Sequence, residues 1–313
     1  MIVCCGEALI DMIPAKCTDT LEDGFVPRAG GSVFNTALAL GRLGSKTAFF
    51  SGLSTDMFGQ KLTQTLGESN VNVDLCVRSS RPTTMAHVTL TDGNASYLFH
   101  DENSAGRMIS ESDLPEISAD ATALFFGGIS LAVEPCADTH LALAERECAN
   151  RVIMVDPNIR PAFIADEVRF RARLDRMLKI ADVVKVSDED LAWLVPGELS
   201  LRERAEALLD KGPAILLVTA GGEGVDAYAG DGRVIGHQIT SRDVVDTVGA
   251  GDSFNAGFLH SLSVGDLLDK SKLLDLSEQQ ILNALELGAT VAGIVVTRAG
   301  ATPPWARELT NAH

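Results

Sequence analysis

The chain has 313 residues, of which 46% are hydrophobic and 22% charged, and 26 basic against 43 acidic residues give a formal net charge of −17. That charge argues against binding to nucleic acid or to an anionic membrane surface, because both need a basic face. No segment approaches the ~18 uninterrupted apolar residues of a membrane span, and the first residues lack the basic and apolar regions of a signal peptide. The six cysteines lack metal-type spacing. We therefore expect a cytoplasmic protein with reduced thiols that handles small molecules.

Short apolar runs, rich in β-branched or aromatic residues, alternate with amphipathic stretches along the chain. The runs predict strands at residues 2–5, 47–51, 123–126, 152–155, 183–186 and 215–219. The amphipathic stretches predict helices at residues 33–43, 136–148, 170–180 and 201–210. This order indicates an α/β fold with a mainly parallel central sheet and helices on both faces. Ligands of such sheets bind beyond the carboxyl ends of the strands.

Two segments interrupt this alternation. Residues 84–100 predict a β-hairpin with a turn at Asp92-Gly93-Asn94, and residues 14–28 are polar and non-helical. We expect a small β appendage made of residues 14–31 and 84–107. Residues 1–13, 32–83 and 108–313 would then form the α/β core.

The segment Asp246-Thr247-Val248-Gly249-Ala250-Gly251-Asp252 opens a predicted helix. Gly249, Ala250 and Gly251 have little or no side chain, so their backbone amides are free to approach a ligand, and a helix N-terminus attracts anions. Asp252 repels a phosphate, which makes chemical sense if it accepts the proton of a hydroxyl that attacks that phosphate. The alternative is a plain glycine-rich turn with Asp252 at a helix start.

Two glycine-containing segments precede it. Residues 219–224, Thr219-Ala220-Gly221-Gly222-Glu223-Gly224, follow a predicted strand and let backbone pass close to a nucleotide. They are not a Walker A loop, because no Gly-Lys-Ser/Thr follows. Earlier in the chain, Gly30-Gly31 lead into a helix that carries Asn35. This is either a helix entry capped by Ser32 or a polyol site shared with Asp11.

The segment Asp156-Pro157-Asn158-Ile159-Arg160 follows another predicted strand. In a crevice at the end of a sheet, Arg160 suits a phosphate or a charged transition state. The alternative is a salt bridge between Arg160 and Asp156.

Taken together and in this order, these segments resemble the ribokinase-like (PfkB) carbohydrate kinase family from Gly6-Glu7 to Gly300-Ala301. Two blocks carry the specificity: residues 246–252, and the series Gly30-Gly31…Asn35…Leu43-Gly44…Gly52…Asp56…Gly59. The resemblance implies a three-layer ribokinase-like fold in which the β appendage is a lid that closes over the sugar and excludes water. It also implies a homodimer through that lid.

The resemblance assigns roles to individual residues. Asp252 would be the general base, Gly249, Ala250 and Gly251 the anion hole, and Arg160 a neutralising charge. The sugar would be held by Asp11, Gly30, Gly31, Asn35 and Phe99, together with Arg160 and Asp252. ATP would be bound by Ser187, Thr219, Gly221, Gly222, Gly224, Gly249, Gly251, Gly288 and Ala289.

The resemblance also implies metal ions. Mg²⁺ would bridge the phosphates of ATP, with Asp190 acting through water, although the family has a glutamate at that position. A monovalent cation, potassium, would be held by Asp246, Val248 and Gly300. A second departure is Ala289, where many relatives have an asparagine near the adenine.

The identity of the sugar depends on the segment that follows the hairpin. The sequence around Arg160 resembles both fructokinases and 2-keto-3-deoxygluconate kinases. Asp101 and Glu102 would repel the carboxylate of the latter substrate, which favours a neutral ketose, and Arg107 is the residue that would reverse this choice. We predict an ATP-dependent kinase that converts fructose to fructose 6-phosphate. The alternatives are a 2-keto-3-deoxygluconate kinase, a ribokinase or nucleoside kinase, and a non-enzymatic sugar or nucleotide sensor.

Overall fold

A computed structural model describes residues 1–16, 22–91, 94–239 and 243–309. The strands of the described residues are β1 Ile2–Cys5, β2 Leu9–Lys16, β3 Asp23–Gly30, β4 Thr47–Phe50, β5 Gly52–Ser54, β6 Val71–Asn72, β7 Val77–Ser79, β8 Met85–Thr91, β9 Asn94–His100, β10 Ala123–Gly127, β11 Val152–Asp156, β12 Val183–Ser187, β13 Ile215–Thr219, β14 Val225–Ala229 and β15 Val234–His237. Their α-helices are α1 Ser32–Leu43, α2 Met57–Glu68, α3 Cys136–Glu147, α4 Glu167–Ile180, α5 Asp188–Leu194, α6 Leu201–Leu209, α7 Ala250–Val264, α8 Lys270–Leu274, α9 Glu278–Val295 and α10 Ala306–Leu309.

Nine of these strands form one sheet in the order β15-β14-β13-β12-β11-β10-β1-β4-β6. All six predicted strands lie in it. In this spatial order, each strand from β13 through to β6 is parallel to its neighbour. Three of them extend one residue beyond the predicted apolar run, to Gly127, Asp156 and Ser187. Polar and small residues therefore stand at the carboxyl edge of the sheet, where the site was expected.

Helices cover both faces of this sheet. Along β1, Ile2 and Cys4 pack into a core with α1, α7 and α9, whereas Val3 and Cys5 pack into a second core with α3, α4 and α6. Each fully buried Leu, Ile or Phe side chain stabilises the fold by ~1.5–3 kcal/mol, so the two cores hold three layers together. The predicted α/β class is confirmed.

Helices α7 and α9 cross at a contact between two glycines. A Cβ on Gly257 would lie 2.7 Å from the Cα of Gly288, and a Cβ on Gly288 would lie 2.8 Å from the ring of Phe254. We expect Gly257→Ala to lower the free energy of unfolding by about 2–3 kcal/mol through overpacking, as measured by urea denaturation.

The matched control is Gly67→Ala. Gly67 lies on the exposed face of α2, and a Cβ there would meet nothing within 4 Å. This change should raise stability by up to about 1 kcal/mol, because alanine is the better helix former. Equal effects of the two substitutions would contradict the close contact between α7 and α9.

Four described strands form a separate sheet in the order β3-β2-β8-β9. The predicted hairpin is present as β8 and β9, which pair antiparallel from Met85↔His100 to Thr91↔Asn94; Asp92 and Gly93 of its turn lie outside the described residues. The polar stretch at 14–28 contributes to β2 and β3, apart from residues 17–21, which are also outside the description. Residues 9–13 were assigned to the α/β core; because β2 begins at Leu9 they pair in the small sheet, while Ile10 also packs into the core with α1, α7 and α9.

Two other expectations concern the whole chain. None of the helices in the described residues has the length and apolar character needed to cross a membrane. The described cysteines are free thiols: Cys4, Cys5 and Cys136 are buried, whereas Cys76 and Cys148 are half-buried.

Candidate active site

The carboxyl ends of β1, β10, β11 and β12 and the starts of α1 and α7 surround a cavity of about 1300 Å³. The small sheet forms another side of it through Asp11 and Phe99. Phe99 contacts Phe163, which also lines the cavity, in an edge-to-face arrangement with ring centroids 4.2 Å apart. The cavity therefore lies between the large and small sheets.

Asp252 is the third residue of α7 and is only 7% exposed. Its Oδ1 accepts a hydrogen bond from Ser32 Oγ at 2.7 Å, and its Oδ2 accepts one from Asn35 Nδ2 at 2.9 Å. Burial raises the pKa of Asp252 to about 6, against the opposing effect of these two hydrogen bonds. A carboxylate of this kind is suited to general-base chemistry near neutral pH.

The start of α7 depends on Gly249. This residue is the N-cap and has a left-handed φ of 78°, and a Cβ on it would lie 2.5 Å from the Cβ of Ala301. No side chain caps the helix, and Gly249 and Gly251 line the large cavity. The amides of Gly249 and Gly251 are thus available to an anion, whereas the amide of Ala250 donates to the carbonyl of Thr247 at 3.2 Å.

Lys185 also reaches this helix start, which the sequence reasoning missed. It lies on β12, is 6% exposed, and donates a hydrogen bond from Nζ to Asp156 Oδ2 at 3.1 Å. A Cβ on Gly251 would come within 3.0 Å of that Nζ. The ammonium therefore adds a buried positive charge beside the anion site. The available signal was a lone lysine inside an apolar strand, since a buried lysine needs a partner.

The alternative interpretation of Arg160, a salt bridge with Asp156, is wrong. Asp156 is fully buried and is held by Lys185 and by Asn255 Nδ2, the latter at 2.7 Å. Arg160 is exposed, lines the large cavity, and donates from Nη1 to the carbonyl of Ile159 at 3.0 Å. Its charge is therefore not used by Asp156 and remains at the cavity.

The glycine pair before α1 shapes the polar end of the cavity. Gly31 lines the cavity and has a φ of 110°, whereas a Cβ on Gly30 would lie 2.3 Å from Asp11 Oδ2. Gly30 thus makes room for the carboxylate of Asp11 without itself lining the cavity. Burial, reinforced by the nearby Asp252, raises the pKa of Asp11 to about 6.

Asn35 has one unused hydrogen-bonding atom in this region. Its side chain is 5% exposed, and its Oδ1 has no partner although its Nδ2 donates to Asp252. A buried acceptor without a partner is costly. A ligand hydroxyl that donates to Asn35 Oδ1 would remove this cost, which suits a polyol.

A second, largely apolar cavity of about 330 Å³ adjoins the first, and Thr247 and Gly251 line both. Thr219, Gly221 and Gly222 form one wall of it, as expected for a nucleotide site. Ser187 lines the larger cavity instead. Gly224 lines neither cavity. It allows β15 to approach the start of β14 closely, because a Cβ there would lie 2.5 Å from the carbonyl oxygen of His237.

Gly288 and Ala289, which were predicted to bind ATP, do not line the apolar cavity. The apolar cavity is lined one turn further along, by Ala292 and Gly293 of α9 and by Val296, which follows that helix. Gly288 is used in the contact with α7, and Ala289 is buried. The residues one turn later share the same face of the helix, because i and i+4 positions superpose.

The predicted metal positions fall in two places. Asp190 is buried at the larger cavity, and its Oδ1 accepts from the amide of Ile159 at 3.2 Å. Asp246 lies elsewhere and accepts from the amides of Val248 at 3.0 Å and Gly300 at 2.8 Å, so these three residues do meet. Among the described residues, no three His, Cys, Asp or Glu side chains cluster as a metal site.

Asp101 does not act as the free repelling charge that was expected. Its Oδ1 accepts from Thr84 Oγ1 at 2.7 Å and from Ser104 Oγ at 2.9 Å, and Arg107 Nη1 lies 3.6 Å from its Oδ2. Arg107 also donates to the carbonyl of Glu134 at 2.9 Å. The two charges largely neutralise each other.

The site combines a buried carboxylate with the start of a helix that attracts anions, and it lies between a polar and an apolar cavity. This arrangement is that of a phosphotransferase that acts on a hydroxyl. The pfkB family of carbohydrate kinases matches residues 1–307. The chain belongs to this family of carbohydrate kinases.

Known relatives and solved structures agree. The chain is 49% identical over 289 residues to a fructokinase of Rhizobium leguminosarum bv. trifolii, covering 90% of this chain and 86% of the relative. It is 34% identical to a probable chloroplastic fructokinase-6 of Arabidopsis thaliana, over 96% and 79% of the two chains. The fructokinase of Xylella fastidiosa with bound ATP superposes with a TM-score of 0.91 at 29% identity, over 99% and 97% of the chains. A double mutant of the Vibrio cholerae O395 fructokinase with fructose, ADP and potassium gives 0.87 at 26% identity, over the same shares. The ribokinase-like fold is confirmed.

Proposed function

We propose that the chain is a fructokinase that transfers the γ-phosphoryl group of ATP to the primary hydroxyl of fructose, forming fructose 6-phosphate. The observation that carries this proposal is the position of Asp252, buried at the start of α7 where the polar and apolar cavities meet. The names of the relatives support fructose as the acceptor.

In this proposal the sugar lies between Asp11, Asn35 and Asp252. Asn35 Oδ1 accepts a hydrogen bond from one hydroxyl of the sugar, and Asp252 takes the proton of the attacking hydroxyl. The bond between that oxygen and the γ-phosphorus forms as the bond to the β–γ bridging oxygen breaks, and ADP leaves. The amides of Gly249 and Gly251 stabilise the negative charge that develops on the phosphoryl oxygens, together with Lys185 and Arg160. The amide of Ala250, the third predicted donor, would first have to leave the carbonyl of Thr247.

The donor atoms at the cavity suit magnesium. Asp190 and Glu189 line the cavity with carboxylate oxygens, and Mg²⁺ typically binds through one or two carboxylates, water and substrate phosphates. When bound, Mg²⁺ would neutralise charge on the β- and γ-phosphates, with Asp190 holding it through water. We further propose potassium at Asp246, Val248 and Gly300, which their hydrogen bonds bring together.

The choice of fructose over 2-keto-3-deoxygluconate rests on Arg107. Its guanidinium already interacts with Asp101 and the carbonyl of Glu134, so binding a substrate carboxylate would require breaking these contacts. A neutral ketose requires no such change.

We also propose that the small sheet is a lid over the sugar and that the chain works in the cytoplasm as a homodimer through this sheet. The contact of Phe99 with Phe163 supports closure. Phe25 and Leu98 of the sheet are 49% and 61% exposed, which supports an apolar contact with a second copy.

A coupled assay of ADP release, run with fructose, ribose, nucleosides and 2-keto-3-deoxygluconate as acceptors, tests the proposed function. We expect the highest kcat/KM with fructose. A higher kcat/KM with 2-keto-3-deoxygluconate would overturn the assignment of fructose as the substrate. Measurable sugar and ATP binding with no turnover of any acceptor would instead favour a sensor.

The pH dependence follows from the pKa of Asp252. Because the ionised form is the base and its pKa is about 6, kcat/KM should be flat above pH 7 and fall with unit slope below about pH 6. Asp11 has a similar pKa, so the profile should also be measured in Asp11→Asn. An acid limb that disappears in that variant would assign the titration to Asp11 and contradict its assignment to Asp252.

A further inference from the structure

The first residue of α1 connects two parts of the site. Ser32 Oγ donates to Asp252 Oδ1 at 2.7 Å and accepts from Asn158 Nδ2 at 3.0 Å. Its backbone amide donates to Glu7 Oε1 at 2.9 Å. Three separate segments of the chain therefore fix the position of one hydroxyl group.

The direction of these hydrogen bonds follows from the chemistry of the groups. An ionised carboxylate only accepts hydrogen bonds, and a serine hydroxyl has a single proton. The proton of Ser32 must therefore point to Asp252, and Asn158 must present its NH₂ group, not its oxygen, to Ser32. Asn158 adopts the left-handed φ of 42°, a conformation that asparagine tolerates better than most residues.

We propose that Ser32 is a positioning residue for the general base: through its hydrogen bonds to Asp252 and Asn158 it orients the carboxylate and favours its ionised form. This inference rests on the proposed role of Asp252 in the kinase reaction. Asn158 acts through Ser32, because its donor occupies the hydroxyl oxygen and directs the proton towards Asp252. Glu7 acts through Ser32 as well, by holding its backbone.

Other charged groups also face Asp252. Glu7 follows β1, Asp11 lies on β2, and Asp156 ends β11; all three are acidic. Lys185 on β12 is the opposing positive charge. With three acidic groups nearby, the ionised form of Asp252 depends on its hydrogen-bond donors, and Ser32 supplies one of the two identified.

The test compares pH profiles of Ser32→Ala and the parent chain with fructose and ATP. Loss of a hydrogen bond to a charged group should shift the acid limb of the kcat/KM profile to higher pH by about one unit. The plateau kcat should fall by up to about tenfold through poorer orientation. Ser32→Thr, which keeps the hydroxyl, should restore the acid limb.

Ser45→Ala is the matched control. Ser45 follows the other end of α1 and is buried, and its hydroxyl bonds His260 Nδ1 at 2.8 Å. Removing it should leave the pH profile unchanged. An acid limb in Ser32→Ala that coincides with that of the parent would overturn the proposal, since a purely structural serine would change stability without changing this limb.

A second variant keeps the proposal testable if Ser32→Ala does not fold. Asn158→Gly keeps the positive φ and removes the side chain, and it should shift the acid limb in the same direction by a smaller amount. In the Ser32→Ala background, where that chain folds, Asn158→Gly should shift the limb no further. If Asn158→Gly alone left the acid limb where it is in the parent, the proposed action of Asn158 through Ser32 would be overturned. Failure of the parent itself to phosphorylate any sugar would contradict the proposed function instead, which distinguishes the two.

Discussion

Asp252→Asn is expected to lower kcat by about a hundredfold to ten-thousandfold, because a general base contributes on the order of 10²–10⁴ and the substituted amide cannot accept the proton. The affinity for ATP should change little, because the apolar cavity is formed by other residues. Fructose-dependent ADP release measures the first quantity, and calorimetric titration with ATP measures the second.

Stability separates a chemical loss from a folding defect in this variant. Burial raises the pKa of Asp252 above its usual range, so the ionised side chain destabilises the folded state above pH 6. Asp252→Asn should therefore leave Tm at pH 8 unchanged or higher. Asp269→Asn, at the N-cap of α8, is the matched change at an exposed helix start and should retain full turnover. Turnover of Asp252→Asn within tenfold of the parent would refute the general-base assignment.

Lys185→Met should damage both stability and catalysis. Removing the lysine leaves Asp156 buried with only neutral donors from Asn255 and a backbone amide, and breaking a buried ion pair costs about 3–5 kcal/mol. The loss of a positive charge beside the anion site should lower kcat by about a hundredfold or more. Urea denaturation and the coupled assay measure the two effects.

A second substitution distinguishes the two roles of Lys185. Adding Asp156→Asn to Lys185→Met removes the unpaired charge and should recover most of the lost stability, but not the lost turnover. Lys270→Met is the control, because Lys270 pairs with Asp182 at a more exposed position, 2.6 Å away, and its loss should cost only about 1 kcal/mol and leave kcat unchanged. Recovery of both properties in the double variant would show that Lys185 has only a structural role.

Much of the fold could be predicted because its strongest signal is local. The strands that are buried on both faces appear as continuous apolar runs, and β1 and β13 match their predicted bounds. Strands β14 and β15 were missed, because Val225–Ala229 and Val234–His237 are short and mix buried and partly exposed residues. Their strand character depends on pairing, of β14 with β13 and of β15 with β14, which local periodicity does not contain.

The candidate site shows the same division. The glycines at 30, 31, 249 and 251 carry a backbone requirement that is visible in sequence, and the structure brings these segments together. Whether each of the predicted residues acts as assigned stays a prediction. Lys185 was missed because no sequence pattern shows that its ammonium turns towards Asp156, and Ala292 was missed because the crossing of α7 and α9 decides which turn of the helix reaches the cavity.

The partners of Asp252 have a consequence for how the chain acquires its activity. Ser32 and Asn35 lie 220 and 217 positions away from Asp252 in the sequence, and the packing of α1 against α7 brings them together. Contacts of such separation form late, after the loop-closure entropy of the intervening chain has been overcome. During refolding, helical signal should therefore return before phosphorylating activity. A nascent chain would remain inactive until nearly all of it has been synthesised.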